Sequence, residues 1–500
     1  MQEHIISPRR SGTGLDPKAV LVHSSRLDTE LSKTQLLTFP MFIRERMAFG
    51  QLPGIKMGAI EAYASSKGHY LEFVAGPERG QYISTVRMYL ERPIVIEIWS
   101  TSGRDEAFEK QLNNVLLVAV QFFEEEARKT TLYMSFMPGS PKTAELAGKR
   151  RVMKLFFGGN MLNLFLLSIL IGYPILLLFQ WAGLEQYAPI FFLVFMLGLV
   201  LSIGRMTAAR SPWRVTKDSR EVVIVQMVVP EGDLDKYRGE YRVMVAAAKQ
   251  RAYETFSASP GLVSAEKMAE IFTIAGLPTK PENFLVKRVD VYGIVEKVAD
   301  KFELSVPTIV VTQDASPNAA ATGFTKRLAT MLITMGLLVQ LDEEEVEVVV
   351  GHELSHLRSG DPVALFSLVA IEYLGRVYVW LSLVQAFLIP YLILVFWGIF
   401  FFGKFLESRA DLEAGIILGK PKVMAESLKK IGFRRLVLEE RFLEPDVSRF
   451  SEWIRFDPHP PLYFRIQRLE ALDPLNPPKH TFLSSVRAVA SGFLHSGKAR

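Results

Sequence analysis

The densest chemistry in this chain of 500 residues lies in Gly351-His352-Glu353-Leu354-Ser355-His356, an H-E-x-x-H core. Two imidazoles four residues apart on a helix project in one direction and can hold a metal ion through ring nitrogen, leaving the Glu353 carboxylate beside an open coordination position. That donor set with that neighbouring base is the geometry of a zinc hydrolase. A lone helical histidine is ordinarily packed or solvated, but with 8 histidines in the whole chain this arrangement is a poor candidate for chance. There is no cysteine, hence no disulfide framework, no thiol nucleophile and no thiolate ligand, and the third ligand is expected to be Asp, Glu or another His. Glu407 is the best candidate. In Phe405-Leu406-Glu407-Ser408-Arg409-Ala410-Asp411 the helical period puts Glu407 and Asp411 on one face, so that one carboxylate can ligate while the other steadies a ligand histidine. Glu372 competes, but it lies four residues from Arg376 inside an apolar stretch, where a buried ion pair is the favoured reading.

The helix that presents these residues carries its own start signal. Asp342 is placed as N-cap with Glu345 as capping-box partner, and Glu343 and Glu344 suit the positive helix end, so the helix is predicted to begin near Glu343. Val346, Val349, Val350, Leu354 and Leu357 recur at three- and four-residue intervals and form an inward face. Upstream, Thr308 to Thr312, Asn318 to Gly323 and Ala329 to Thr334 are short strand-like segments that predict a small sheet beside the helix. Downstream, Ser359-Gly360-Asp361-Pro362 closes one helix and opens another, with Asp361 as N-cap and Pro362 at the first helical position.

Around this centre the chain is largely apolar. Hydrophobic residues make up 49% and charged residues 22%, with a mean hydropathy of +0.18, so the apolar residues are gathered in blocks. Residues 1–150 read as an N-terminal cytoplasmic α+β domain, with strand text from His69 to Thr101, a helix from Asp105 to about Lys129, and no secretory signal at the start. Residues 151–206 read as a transmembrane hairpin with spans at about 162–179 and 188–203, turning at Trp181 to Tyr187. Residues 207–361 form the first part of a catalytic domain, with helices expected around 235–256, 264–275 and 289–302. Residues 362–406 make a second hairpin, with spans at about 363–384 and 387–405, and residues 407–500 complete the catalytic domain and end in a basic tail. Lys and Arg gather at the open ends of both hairpins, among them Arg205, Arg210, Arg358 and Lys404, which puts those ends and the active site on the cytoplasmic side. The net charge of +5 fits a membrane surface better than nucleic acid, for which no basic-aromatic motif is present.

Four stretches together resemble the membrane-embedded zinc metallopeptidases typified by HtpX and by the CAAX prenyl endopeptidases. They are Asn318 to Gly323, Gly351 to Asp361, Glu407 to Asp411, and Asp457-Pro458-His459-Pro460-Pro461 with Arg465 beyond, and they cover about residues 300–472. Together with the two hairpins read above, this makes the expected fold an α+β multidomain integral membrane protein of four transmembrane helices with a zincin-like cytoplasmic catalytic domain. The resemblance implies one zinc ion per chain held by His352, His356 and Glu407, with Glu353 as base and Asp411 steadying a histidine. It also implies that His459 and Arg465 stabilise the oxyanion or orient substrate, and that Asn318, Ala319, Ala320, Ala321, Thr322 and Gly323 form an edge strand to which substrate adds as a further strand. The expected activity is that of a zinc endopeptidase acting on cytoplasmic segments of misfolded membrane proteins, a quality-control role whose partners are such proteins or peptides and the lipid bilayer. Two other readings compete. CAAX prenyl processing calls for more spans than the four counted, and a membrane scaffold with a structural zinc site is opposed by the open coordination position beside Glu353. The first 150 residues have no counterpart in smaller members of the family, and Ala319-Ala320-Ala321 is smaller than the side chains usual in that strand.

Overall fold

The computed structural model of the protein describes residues 19–27, 29, 31, 33–48, 55–65, 68–77, 81, 83–100, 105–137, 172–198, 213–229, 233–256, 259–323, 329–432, 450–473 and 475–496. The chain divides into two compact units, one of Met1–Met134, Val225–Lys249 and Ser264–Val286, the other of Ser135–Ile224, Gln250–Val263 and Lys287–Arg500. Both strands and helices contribute, giving a mixed α and β architecture.

In the first unit the strands β1 (Val20–Leu27), β2 (Ile55–Met57), β3 (Glu61–Ser65), β4 (Gly68–Pro77), β5 (Ser84–Tyr89) and β6 (Ile94–Ser100) form an antiparallel sheet. Its order is β1-β6-β5-β4-β2, with β3 also paired to β4. Ile94, Ile96 and Ile98 of β6 and Val86 and Met88 of β5 are buried in strict alternation with half-buried neighbours, the two-residue period of a sheet covered on one face. The helices α1 (Phe39–Ala48) and α2 (Glu106–Lys129) join that core. Leu112, Leu116 and Val120 recur along one side of α2, and the rings of Phe39 and Phe42 of α1 pack at a tilt against Phe123.

The second unit places the H-E-x-x-H core. A four-stranded sheet runs β9-β10-β8-β7, from β7 (Arg214–Val215), β8 (Thr308–Thr312), β9 (Ala319–Thr322) and β10 (Thr330–Thr334). β8 and β10 are parallel, and β9 is antiparallel to β10 at the sheet edge. After α3 (Val291–Lys301) and this sheet comes α4 (Glu343–Ser359), which begins where the sequence places it: Asp342 accepts from Glu345 N and the Glu345 side chain accepts from Asp342 N, a complete capping box. One apolar face was expected, yet α4 is buried almost all round, including Glu345, Glu347 and His352, because α3, β9 and two further helices surround it. Those two are α7 (Leu388–Leu418) and α8 (Pro421–Ile431), which follow α5 (Asp361–Tyr378) and α6 (Leu381–Ala386). The unit ends with α9 (Leu462–Glu470) and α10 (Thr481–Ser496).

Several expectations are corrected here. The span expected at 363–384 is two helices, because Trp380 folds back over Gly375, where even a Cβ would stand 2.2 Å from its ring. The helix expected around 235–256 is interrupted after Arg238 and resumes at Arg242, with Gly239 at the break. The boundary expected between 406 and 407 falls inside α7, which is continuous over 31 residues. At 1.5 Å per residue α7 is about 46 Å long, more than the ~30 Å hydrocarbon core of a bilayer. Its buried residues begin only at Phe400, so one helix is apolar and outward-facing in its first part and packed into the catalytic unit in its second. Among the described residues, α7 is the one helix long and apolar enough to cross a membrane, and Glu185–Gly198 is a shorter apolar helix. Of the first expected hairpin, residues 162–171 and 199–203 lie outside the described residues.

Candidate metal centre

α4 and α7 pack side by side, and their contact brings His352, His356 and Glu407 to one point. His352 Nε2 and His356 Nε2 are 3.2 Å apart, Glu407 Oε2 is 3.3 Å from the former and Oε1 3.4 Å from the latter. Four-coordinate donors at ~2.0–2.2 Å from one zinc ion stand ~3.3 Å from each other, so these three have the spacing of ligands to a shared ion. Glu407 Oε2 is buried with no hydrogen-bond partner, an acceptor that a cation would satisfy. The competing ligand Glu372 is engaged elsewhere, accepting from Arg376 Nε at 2.9 Å and from Tyr391 Oη at 2.7 Å.

The other ring nitrogens explain why the Nε2 atoms face inward. His352 Nδ1 lies 3.0 Å from Asp411 Oδ1, and His356 Nδ1 lies 2.7 Å from Asp361 Oδ2. A carboxylate at Nδ1 keeps the proton there and leaves the Nε2 lone pair for a metal. Asp411 is where the helical period put it, one turn beyond Glu407. Asp361 is not the N-cap expected: Gly360, left-handed at φ 70°, caps both helices, and the Asp361 side chain turns back to His356. In the sequence nothing separates that role from an ordinary acidic residue in a first helical turn.

The centre draws positive charge. Burial opposes a charged imidazole at His352, yet the Asp411 and Glu407 carboxylates outweigh it and lift its pKa to about 10. Withdrawal from water pushes the Glu353 carboxyl up, against the pull of His352 and His356. Glu353 Oε2 accepts from Ala321 N at 2.8 Å, so the helix residue next to the ligands touches the edge strand. Asn318 directs its backbone groups toward Thr334 of β10, and strand alternation therefore turns the N–H and C=O of Ala319 and Ala321 outward, along the free edge of β9.

His459 and Arg465 also converge here, in different ways. His459 Nε2 is 3.3 Å from Glu407 Oε2 on a half-exposed side chain, and Asp457 holds its other nitrogen at 2.9 Å and its backbone N–H at 2.8 Å. Arg465 is buried, and its Nε and Nη2 each reach an oxygen of Asp411 at 2.7 Å, while Glu407 is 3.8 Å away. The loop carrying His459 is seated on α7. Lys404, fully buried, donates to the carbonyl oxygens of Asp457 and of His459, the latter at 3.1 Å. At Gly403 a Cβ would stand 2.9 Å from Pro458 Cβ and 3.2 Å from its Cα. Lys404 reads in the sequence only as a charge flanking a span; its partners lie more than 50 positions away.

With this geometry in view, residues 287–473 match peptidase family M48. The chain is 27% identical over 237 residues to a protein named Protease HtpX homolog from Chlorobium phaeovibrioides, which spans 42% of this chain and 80% of that protein. It is 28% identical over 209 residues to Protease HtpX of Histophilus somni, covering 36% of this chain and 71% of the relative. A Protease HtpX homolog of Listeria monocytogenes is 29% identical over 219 residues, 36% of this chain and 72% of the relative. Geometry and comparison meet in the same stretch: over residues 287–473, where the metal-binding residues lie, this chain is similar to the M48 and HtpX metallopeptidases.

Proposed function

We propose that the chain is a zinc-dependent endopeptidase integral to the membrane, with its active site on the cytoplasmic side and unfolded cytoplasmic segments of membrane proteins as substrates. The observation that carries this reading is the convergence of three donors at mutual ligand spacing with Glu353 beside them, itself 2.8 Å from the free edge of β9. His352, His356 and Glu407 would hold the zinc, which when bound polarises the scissile carbonyl and acidifies water. Glu353 takes the proton of the attacking water and passes it to the leaving amine. Asp411 orients His352, Arg465 fixes Asp411, and His459 supplies an exposed imidazole to the developing oxyanion. Residues Asn318 to Gly323 receive substrate as an added strand, and the small side chains of Ala319, Ala320 and Ala321 suit selection by backbone instead of by sequence. That tolerance supports a role in clearing misfolded chains.

Four spans in two hairpins, with residues 1–150 on the cytoplasmic side, complete the proposed arrangement. Exposed apolar side chains on the segments expected in the bilayer, such as Leu178, Phe191, Val194, Ile371, Ile389 and Leu394, support it. The test is cleavage of an unfolded model protein by detergent-purified enzyme loaded with zinc, wild type against Glu353→Gln. Loss of the general base costs ~10²–10⁴-fold in rate. The expected result is cleavage by wild type only, with equal zinc content in both; equal cleavage by both, or none by a zinc-loaded wild type, would count against the peptidase assignment.

A further inference from the structure

Each histidine of the centre has a carboxylate beside its Nδ1, hydrogen-bonded at His356 and within ion-pair distance at His352. Behind His352 stands Asp411 and behind Asp411 the guanidinium of Arg465; behind His356 stands Asp361 and behind Asp361 the guanidinium of Arg409. Arg409 Nη2 is 2.7 Å from Asp361 Oδ2, the same oxygen that lies 2.7 Å from His356 Nδ1. The two side chains are 4% and 9% exposed. We propose that Arg409 is a positioning residue for His356, pinning Asp361 and through it the imidazole so that Nε2 faces Glu407. The inference rests on the zinc site proposed above.

The physical need is specific. A buried carboxylate whose only partner is a neutral imidazole N–H carries uncompensated charge, and it is stabilised by taking a proton or by swinging towards water; either move releases the ring. Arg409 supplies the missing charge in a fixed plane. Its Nη1 donates to Ser359 Oγ and, at 3.2 Å, to Glu413 Oε2, while Nη2 faces Asp361 and the Ser355 carbonyl at 3.5 Å. The fork is therefore held from α4, α5 and α7 together. A lysine ammonium at this position has no such plane and serves these partners less well.

The same contacts allow Arg409 to be no more than a clamp between helices, and Glu413 separates the two roles. Glu413 accepts from Arg409 at 3.2 Å, Ser355 at 2.6 Å, Ser359 at 3.4 Å and Thr481 at 3.0 Å, and so takes part in the clamp without backing His356. The experiment measures zinc affinity of the detergent-purified full chain by competition with a chromophoric chelator, with a denaturation midpoint on the same samples. Asp361→Asn and Arg409→Gln are each expected to weaken zinc binding ~10–100-fold, the usual effect of losing such an outer partner, with His352→Ala as the reference for a lost ligand. Arg409→Lys, which keeps the charge and protects against a folding failure of the glutamine variant, is expected to weaken it nearly as much. Glu413→Gln is expected to lower the midpoint and leave the affinity unchanged. Wild-type affinity in the Arg409 variants would overturn the proposal, as would an affinity that tracks the midpoint through all variants including Glu413→Gln. A folded wild type that binds no zinc would instead bring down the proposed metal site and this inference with it.

Discussion

Acidic side chains crowd within a few ångströms of His352 and His356, and the partner of each decides what it can do. Glu407 keeps one oxygen without a hydrogen bond and is therefore available as a ligand. Asp411 and Asp361 each face a ring nitrogen on one side and a guanidinium on the other, which fixes both; at Asp411 burial pushes the carboxyl up, but the Arg465 guanidinium prevails and holds it well below the ordinary range. Glu353 accepts from the backbone N–H of Ala321 and has a carboxyl raised by burial, properties that suit a proton carrier. Nearer the start of α4, Glu347 is structural. Burial pushes its carboxyl up, but hydrogen bonds from Lys297 and Lys420 prevail and hold it below the ordinary range. A lowered folded-state pKa means stability that is fully present above the unfolded value of about 4.3 and lost as pH falls through the lower folded value. Glu347→Gln is thus expected to be less stable than wild type by about 1 kcal/mol near neutrality, with the gap closing in acid. Denaturation midpoints of both proteins at pH 7, 5 and 3.5 check this, and a gap that widens in acid would refute it.

At the scale of elements, α7 does the most positioning. Its first part is apolar and outward-facing, and its second part carries in succession Gly403 and Lys404 under the His459 loop, Glu407 at the metal centre, Arg409 behind Asp361, and Asp411 behind His352. In the proposed membrane arrangement, a helix that continues from its apolar part into the site without a break sets the height of the centre above the bilayer by residue count alone. Lys404→Met leaves the Asp457 and His459 carbonyls without their buried donor, at a cost of about 1–3 kcal/mol. The variant is expected to retain zinc, to become sensitive to protease at residues 457–461, and to lose about tenfold in kcat. Limited proteolysis with a parallel zinc assay decides it, since full activity with a rigid loop would mean that contact at Gly403 suffices.

For the whole molecule, the question is how the apolar helices sit in a bilayer. The turn after residues 172–181 and the end of α5 lie on one side, because Tyr378 Oη donates to the Gln186 carbonyl at 2.6 Å and Phe192 packs on Tyr373. A short polar chain joins α5 to α7 in the same region: Trp380 Nε1 donates to Tyr391 Oη, which donates to Glu372, itself paired with Arg376. Polar groups linked in this way satisfy one another where water is scarce. Since the chain has no cysteine, single-cysteine variants report topology without background. Exposed Glu185→Cys and Gln385→Cys are expected to react with a membrane-impermeant maleimide on intact cells, and exposed Lys422→Cys only after permeabilisation. The reverse pattern would invert the proposed orientation, and labelling of all three would remove the spans.

What the sequence determined by itself is what local periodicity controls. The capping box at Asp342 and Glu345, the i,i+4 pair His352 and His356, the i,i+4 pair Glu407 and Asp411, and the three short strands before α4 all depend on neighbours within a few residues, and all stand where the sequence placed them. The resemblance to HtpX-like peptidases added His459 and Arg465 to the centre, but not their partners. Tertiary structure alone decided that Arg465 turns its Nε and Nη2 onto Asp411, 54 positions away, that Arg409 meets Asp361 across 48, and that Lys404 reaches the His459 carbonyl across 55. The reason is that charged side chains in a chain with 58 basic and 53 acidic residues have many possible mates, and only the packing of α7 against α4, α9 and the loop that carries His459 selects among them. The same contact explains Asp361: as a residue in a first helical turn it is one of many, and it becomes the support of His356 only because Gly360 turns the chain back onto α4.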